Sequence, residues 1–298
     1  MEFKTIGMIG YGEVGKIFSA GLKGQDGIES VHAWDRKFVG DTAAAELAHA
    51  EGAGVTAHLS SKALCEASEL VIAAVTASQS FAVAEEAARY LRAGSVYLDL
   101  NSASPGTKQR SAALIEAAGA HYIEAGVMTS VPPYGLRTPM LLGGPLADGI
   151  VPTLVSWGMD TRAVSNQLGV ASAIKMCRSV MIKGLEALVI ESYSTARAYG
   201  VEDHVLPTLA ETFPAIDWEK TGAYFFSRVV QHGQRRAEEM RESANTVREA
   251  GFEPFMTASI ADKQQWVADQ AKAGVFDGVG KDARWQDYVD RLLAARKR

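Results

Sequence analysis

Gly10-Tyr11-Gly12-Glu13-Val14-Gly15 has the spacing G-x-G-x-x-G, with which a chain brings its backbone against a pyrophosphate. The first glycine permits a tight turn, the second admits the phosphates, and the third lets the following helix pack closely on the preceding strand. That helix start offers N–H groups and a positive dipole end to an anion. Asp35 stands twenty residues beyond Gly15, where a carboxylate accepts hydrogen bonds from an adenosine ribose. The acidic residue favours NAD. Arg36 and Lys37 follow at once and can hold the 2′-phosphate of NADP if Asp35 turns away, so NADP stays open. The bland reading is a strand–turn–helix whose glycines serve packing, but motif, strand, helix and acid agree on dinucleotide binding.

A second set of polar residues lies on one long segment, Leu168 to Tyr199, LGVASAIKMCRSVMIKGLEALVIESYSTARAY, which contains no proline. Stepping about 100° per residue from Lys175 places Ser172, Arg178, Ser179, Lys183 and Glu186 on its side of a helix. Val170, Ile174, Cys177, Met181, Leu185, Leu188 and Val189 recur at helical spacing and predict a mostly buried rod. Burying a polar stripe without partners is costly, so the stripe lines either a ligand cleft or a row of satisfied ion pairs. A third set, Arg228, His232, Arg235 and Glu239 with Arg236 beside them, shares one face of a later helix. That face suits a phosphate or carboxylate, or is a solvated surface with Arg235–Glu238 and Arg235–Glu239 pairs.

The elements that must position these residues alternate over the first half. Lys4 to Gly10 reads as a buried strand, followed by a helix ending near Gly24 and a strand from Ser30 to Trp34. Then come a helix over Ala43–Glu51, strands at Val55–Ala57 and Leu70–Val75, a helix over Ala82–Leu91, and a strand at Val96–Leu100. Strand ends of an open parallel sheet deliver ligand contacts. Val75 and Thr76 end one strand and, with Asn101, Ser102 and Ser104, reach the same edge; Asn101 is a candidate for nicotinamide or substrate, or else an Asx turn or a cap before a helix begun by Pro105. Tyr122–Val127 and Met140–Leu142 read as strands around the polar, proline-rich MTSVPPYGLRTP loop, followed by a helix over Leu146–Trp157 and a strand over Thr161–Val164. The fold class is α/β, a Rossmann-type doubly wound parallel sheet, followed by a long interdomain helix and an all-α C-terminal domain. Boundaries are expected at residues 1–166 and 167–298. Helices over Val205–Thr212, Trp218–Ala250, Met256–Ala273 and Ala283–Arg298 make up the second half.

At 298 residues, 47% hydrophobic and 22% charged, the chain has the composition of two globular domains. A net charge of −5 argues against a general nucleic-acid binder, and the basic end RLLAARKR reads as the solvated close of a last helix. With no signal segment and no membrane-length apolar run, the expectation is a cytoplasmic protein without membrane contacts. Cys65 and Cys177 fit neither a disulfide framework nor a metal set, and both read as buried packing residues.

The glycine loop, LDLNSASP, EAGVMTSV and GVASAIK together resemble the β-hydroxyacid dehydrogenase superfamily, which includes 6-phosphogluconate dehydrogenase and 3-hydroxyisobutyrate dehydrogenase. The resemblance covers the first domain and the long helix; SAIKMCRSVMIKG and HGQRRAEEM belong to a less characterised branch. It implies an NAD(P)-dependent enzyme that interconverts hydroxyl and carbonyl on a small-to-medium, anionic hydroxyacid-like substrate. Lys175 matches the catalytic lysine, which takes the hydroxyl proton as hydride leaves; Arg178, Lys183 and partial burial would help keep it neutral. The family loop D-x-P-V-S-G-G is here Glu124-Ala-Gly-Val-Met128-Thr129-Ser130, so Met128 replaces the substrate-binding serine and Thr129 or Ser130 takes its place. The family asparagine one turn after the lysine is Ser179, and the acid of the decarboxylating enzymes falls at Ile182, which argues against decarboxylation. Substrate contacts are thus expected from Asn101, Thr129, Ser130 and Ser179. Cofactor contacts are expected from Gly10 to Gly15, Asp35, Arg36, Val75, Thr76 and Asn101. Family members associate through the helical domain, which implies a homodimer. Imine reduction, carbon–carbon cleavage through an oxidised intermediate, and non-catalytic dinucleotide binding are the alternatives.

Overall fold

In a computed structural model of the chain, residues 1–41, 43–280 and 282–296 are described. The chain divides into two compact units, Met1–Met176 and Cys177–Arg298.

The first unit begins with β1 (Thr5–Ile9), α1 (Glu13–Leu22), β2 (Ser30–Trp34), α2 (Ala43–Gly52), β3 (Thr56–His58) and α3 (Ser61–Ala67). It continues through β4 (Leu70–Ala73), α4 (Ser80–Ala88), β5 (Val96–Asp99), α5 (Pro105–Ala117), β6 (His121–Val127), β7 (Met140–Gly143), α6 (Ala147–Ser156) and β8 (Thr161–Ser165). The long α7 (Val170–Tyr199) follows, its first turns belonging to this unit. Among the described residues the strands form one sheet in the order β3-β2-β1-β4-β5-β6-β7-β8. β4 and β5 are buried at every position, as strands covered by helices on both faces must be. The order reverses at β1, which pairs with β2 on one side and β4 on the other, so a crevice opens at their carboxyl ends.

Two details differ from the sequence reading. α3 lies in a stretch not predicted as helix; the Ser60 hydroxyl caps it by accepting from Ala63 N. β7 runs antiparallel to β6, whereas a parallel strand would have needed a crossover helix. The proline-rich loop turns the chain back instead: Met128 N donates to Pro139 O at 2.9 Å and Thr138 Oγ1 to Gly135 O at 2.7 Å. The predicted helix at Pro105 is present, with Pro105 in the first turn and Ser104 Oγ accepting from Thr107 N.

The second unit holds the rest of α7 with α8 (Glu202–Thr212), α9 (Trp218–Glu249), α10 (Phe255–Lys272) and α11 (Trp285–Ala295). Val189, Ile190, Tyr193, Phe226, Val229 and Trp285 lie in its apolar core. Glycines bring its helices close: a Cβ at Gly222 would stand 2.5 Å from the Tyr193 ring, and one at Gly233 2.8 Å from Gln264 O. The predicted last helix reached Arg298; Lys297 and Arg298 lie outside the described residues.

α7 departs from the expected burial at five of the apolar positions, while Val189 is buried as expected. Met181 is 65% exposed, Leu188 54%, Ile174 40% and Leu185 37%, and Cys177 is exposed as well. Ser172, Ser179, Lys183 and Glu186 are buried instead, beside the apolar Met176, Val189, Ile190 and Tyr193. Most of the polar stripe faces inward, with Arg178 exposed, because other elements supply partners for its buried charges, which periodicity along one helix cannot reveal.

Candidate active site

The glycine loop is built around close backbone approaches. Gly10 has φ +95, and a Cβ there would stand 2.3 Å from the carbonyl oxygen of Ala74 at the end of β4. A Cβ at Gly15 would stand 1.9 Å from Gly10 O, so α1 can lie this near β1 only with glycine. A Cβ at Gly12 would meet nothing within 4 Å. Gly12 is the N-cap of α1 and makes no side-chain capping bond. The space in front of it and the N–H groups of Glu13, Val14 and Gly15 form an open cradle at a helix start, which fits a pyrophosphate. Glu13 is exposed in that first turn, and Val14 packs partly against the sheet core.

Tyr11 takes part through its backbone. Its ring is buried against Phe38 and its hydroxyl lies 3.2 Å from His49 Nδ1. Burial and the nearby Glu46 carboxylate raise the phenol above its usual range. Tyr11 N–H donates to Asp35 Oδ2 at 2.7 Å, while Asp35 Oδ1 accepts from Lys37 N at 2.9 Å. The Asp35 carboxylate is therefore pinned beside the glycine loop, with Arg36 and Lys37 exposed after it.

Across the crevice, Val75 N donates to Asn101 Oδ1 at 2.6 Å, tying the end of β4 to the end of β5. Thr76 is exposed, its hydroxyl 3.2 Å from Ser78 Oγ. Asn101 Nδ2 is buried without a protein hydrogen-bond partner, so it is open to an acceptor from water or from a bound molecule. Beneath this turn, buried Asp99 accepts from Asn101 N at 2.9 Å and from Tyr122 Oη at 2.6 Å, and pairs with Lys108 Nζ at 3.1 Å. Lys108 is fully buried and also donates to Asp99 O at 3.0 Å. Burial, then the Asp99 charge, holds the Tyr122 phenol far above its usual range. This support was missed in the sequence, where the signal was a charged residue inside the apolar run VYLDL.

Lys175 Nζ donates to Ser102 Oγ at 2.6 Å, beside Asn101. The half-buried lysine rises from α7 close to β6, where a Cβ on Gly126 would stand 3.5 Å from Lys175 Cβ and 3.0 Å from Ala171 O. Glu124, on the same strand, is fully buried and reaches the start of α7. In the loop after β6, Thr129 is exposed and Ser130 half-buried. The first unit thus brings Asn101, Ser102 and Lys175 together; Ser102 was recognised at the sheet edge but not as the partner of Lys175.

Within the second unit, Ser179 Oγ accepts from Lys183 Nζ at 3.2 Å, and Lys183 pairs with Glu239 at 2.8 Å. Glu186 is held by both arms of Arg236, its Nε bond being 2.9 Å, and accepts from Gln264 Nε2 at 3.2 Å. Lys183 and Glu186 are thus satisfied across helices and not by each other. The expected basic face is divided: Arg236 is buried against Glu186, while Arg235 lies exposed, 3.9 Å from Glu239.

A family model described as the NAD binding domain of 6-phosphogluconate dehydrogenase matches residues 5–145, and one described as a domain of unknown function, DUF1932, matches residues 196–267. Among solved structures, a conserved hypothetical protein from Sinorhizobium meliloti is 34% identical, with TM-score 0.76, over 98% of this chain and 96% of that one. A conserved protein of unknown function, MTH1747, reported as structurally similar to 3-hydroxyacid dehydrogenases, is 28% identical with TM-score 0.68, over 90% of this chain and 98% of that one. A 3-hydroxyisobutyrate dehydrogenase from Mycobacterium tuberculosis, solved with L-serine, shares the fold at TM-score 0.69 and 15% identity, over 98% of this chain and 99% of that one.

Proposed function

Because this chain belongs to the β-hydroxyacid dehydrogenase superfamily and joins an NAD-binding domain to a DUF1932 domain, we propose that it is a hydroxyacid dehydrogenase with Lys175 as general acid and base. The coarser statement, an NAD(P)-dependent oxidoreductase of the 3-hydroxyacid dehydrogenase type, follows from the family itself. The observation that carries the finer one is the short bond from Lys175 Nζ to Ser102 Oγ, next to the unpartnered Asn101 Nδ2. Ser102 fixes the amine at the edge where strand ends and glycine loop meet. A neutral Lys175 then takes the proton of a substrate hydroxyl in the oxidative direction, and its ammonium returns a proton to the carbonyl oxygen in the reductive one. Nicotinamide, when bound, supplies or accepts the hydride.

Gly10 to Gly15 would hold the pyrophosphate, Asp35 the adenosine ribose, and Val75, Thr76 and Asn101 the nicotinamide half. NAD(H) is the preferred cofactor in this reading. Asp35 cannot turn away from a 2′-phosphate without giving up its bonds from Tyr11 and Lys37, and its charge repels that phosphate; Arg36, exposed beside it, leaves NADP(H) as the weaker ligand. The Asn101 amide donor and the hydroxyls of Thr129 and Ser130 suit an anionic, small-to-medium substrate. The Ser179 hydroxyl, accepting from Lys183, retains its own proton to donate. A homodimer is part of the proposal, supported by the exposed apolar stripe of α7.

The test follows nicotinamide absorbance with 3-hydroxyacids, their carbonyl partners and cyclic imines, using both cofactors, in wild type and folded Lys175→Ala. The expected result is turnover with a hydroxyacid that falls roughly a hundredfold or more in the variant while cofactor affinity holds. Equal turnover in the two proteins overturns the role of Lys175, and tight cofactor binding without turnover on any substrate favours a binding protein.

A further inference from the structure

Glu124 interrupts the apolar strand His121–Val127 with a charge that is completely buried, a position carboxylates occupy only when fully hydrogen-bonded. Its bonds all go to one place. Oε1 accepts from Gly169 N at 2.8 Å and Ala171 N at 3.0 Å, and Oε2 accepts from Ser172 Oγ at 2.8 Å. Two of the backbone donors that a helix start leaves without partners are thereby satisfied from a neighbouring strand, at the end of α7 where a negative charge is favourable.

The surroundings are shaped around that carboxylate. Gly143, paired with Glu124 in the sheet, has no room for a side chain: a Cβ there would stand 2.5 Å from Glu124 Oε1. Gly169 turns the chain into α7 with φ +100, and Gln109 Nε2 donates to the adjacent Leu168 O at 3.1 Å. Two residues along β6 from Glu124, the bare backbone of Gly126 lets α7 approach until Ala171 O and Lys175 Cβ bound the space a side chain would take. Ala171, held by Glu124, is one helical turn before Lys175.

We infer that Glu124 is a positioning residue: it clamps the first turn of α7 onto β6 and so sets where Lys175 Nζ stands relative to Ser102. The catalytic meaning of this clamp rests on the proposed role of Lys175, but the clamp itself can be read without turnover. Glu124→Gln keeps the shape, with an amide oxygen to accept from Gly169 and Ala171 and an amide group to meet Ser172 Oγ. Glu124→Asp keeps the charge and loses the reach, and Glu124→Ala loses both.

The experiment combines amide hydrogen exchange over 168–176 with the rate of reductive methylation of Lys175 by formaldehyde and borane, read by peptide mass spectrometry. Exposed Lys62 is the internal control, and dinucleotide affinity is measured in parallel. In Glu124→Ala and Glu124→Asp, the amides of the first turn should exchange at least about tenfold faster. Lys175 should be labelled roughly tenfold faster as its bond to Ser102 is lost, with Lys62 labelling and NADH affinity unchanged. Glu124→Gln should stay within about threefold of wild type on both readouts. If Glu124→Ala does not fold, Glu124→Asp against Glu124→Gln carries the comparison. Loosened amides with unaltered Lys175 labelling would leave Glu124 a purely structural cap and overturn the inference, as would unchanged exchange in the Asp variant. Failure of Lys175→Ala to affect turnover would instead remove the catalytic reading and leave these two measurements untouched.

Discussion

The three glycines of the phosphate loop carry different burdens, and substitution separates them. Alanine at Gly15 or Gly10 collides with backbone oxygen, so folding and binding would fail together. Gly12 is different: its φ of −78 is open to any residue, and a Cβ there meets nothing in the protein. Gly12→Ala is therefore expected to melt within a degree or so of wild type while binding NADH at least about tenfold more weakly, because the methyl occupies the phosphate approach. Calorimetry and fluorescence titration check the two halves of that statement, and unchanged NADH affinity would place the pyrophosphate elsewhere. The cysteines also separate by environment. Cys65 is fully buried and burial pushes its thiol up to about 11, whereas Cys177 is exposed on α7. Cys65 keeps the buried packing role expected of both, and Cys177 does not, because a one-helix pattern cannot say which side of α7 faces inward.

Among the elements, β2 and β3 hold a histidine pair, His32 and His58. His32 Nδ1 lies 2.9 Å from His58 Nε2 with the rings stacked, and His32 Nε2 is 2.8 Å from Ser30 Oγ. Burial lowers both imidazoles below their ordinary value of 6.5, and the second ring lowers His32 further. Lowered pKa values in the folded state mean that the unfolded chain takes up protons first as pH falls. Stability from this pair is accordingly full above pH 6.5 and is lost as pH drops through the lowered folded values. The urea midpoint should fall between about pH 7.5 and 5.5, and by less in His58→Gln than in wild type. A fall of equal size in both proteins would remove the pair as its source. β5 and β6 hold their own buried charges differently: Asp99 has Lys108 and Tyr122, and Glu124 has the start of α7. These partnerships join residues from different elements, and each supports a turn or helix that bears a candidate site residue.

For the molecule as a whole, the long helix bears on the proposed homodimer. Ile174, Met181, Leu185 and Leu188 form one exposed apolar stripe along α7, longer than a solvated helix face ordinarily tolerates. The proposed homodimer would cover it with a second copy, and Met181→Asp with Leu188→Asp should convert a dimer into monomers in sedimentation or light scattering at micromolar concentration, without loss of helical circular dichroism. A monomeric wild type would refute this. Among the described residues, no helix is long and apolar enough to cross a membrane.

The sequence alone determined the alternation of strands and helices in the first half and the helical second half, because local periodicity and glycine spacing encode them. It also determined the glycine loop, Asp35 at the end of β2 and Asn101 after β5, since those positions follow from element order in an open sheet. Only the tertiary structure decided which face of α7 is inside. Paired charges can be buried and apolar residues left for another surface, and the partners Glu239, Arg236 and Gln264 lie on helices far along the chain. It alone also joined Glu124 to Gly169 and Lys175 to Ser102. Such contacts depend on how close two elements come, which Gly126 and Gly143 permit but no pattern of residue types announces.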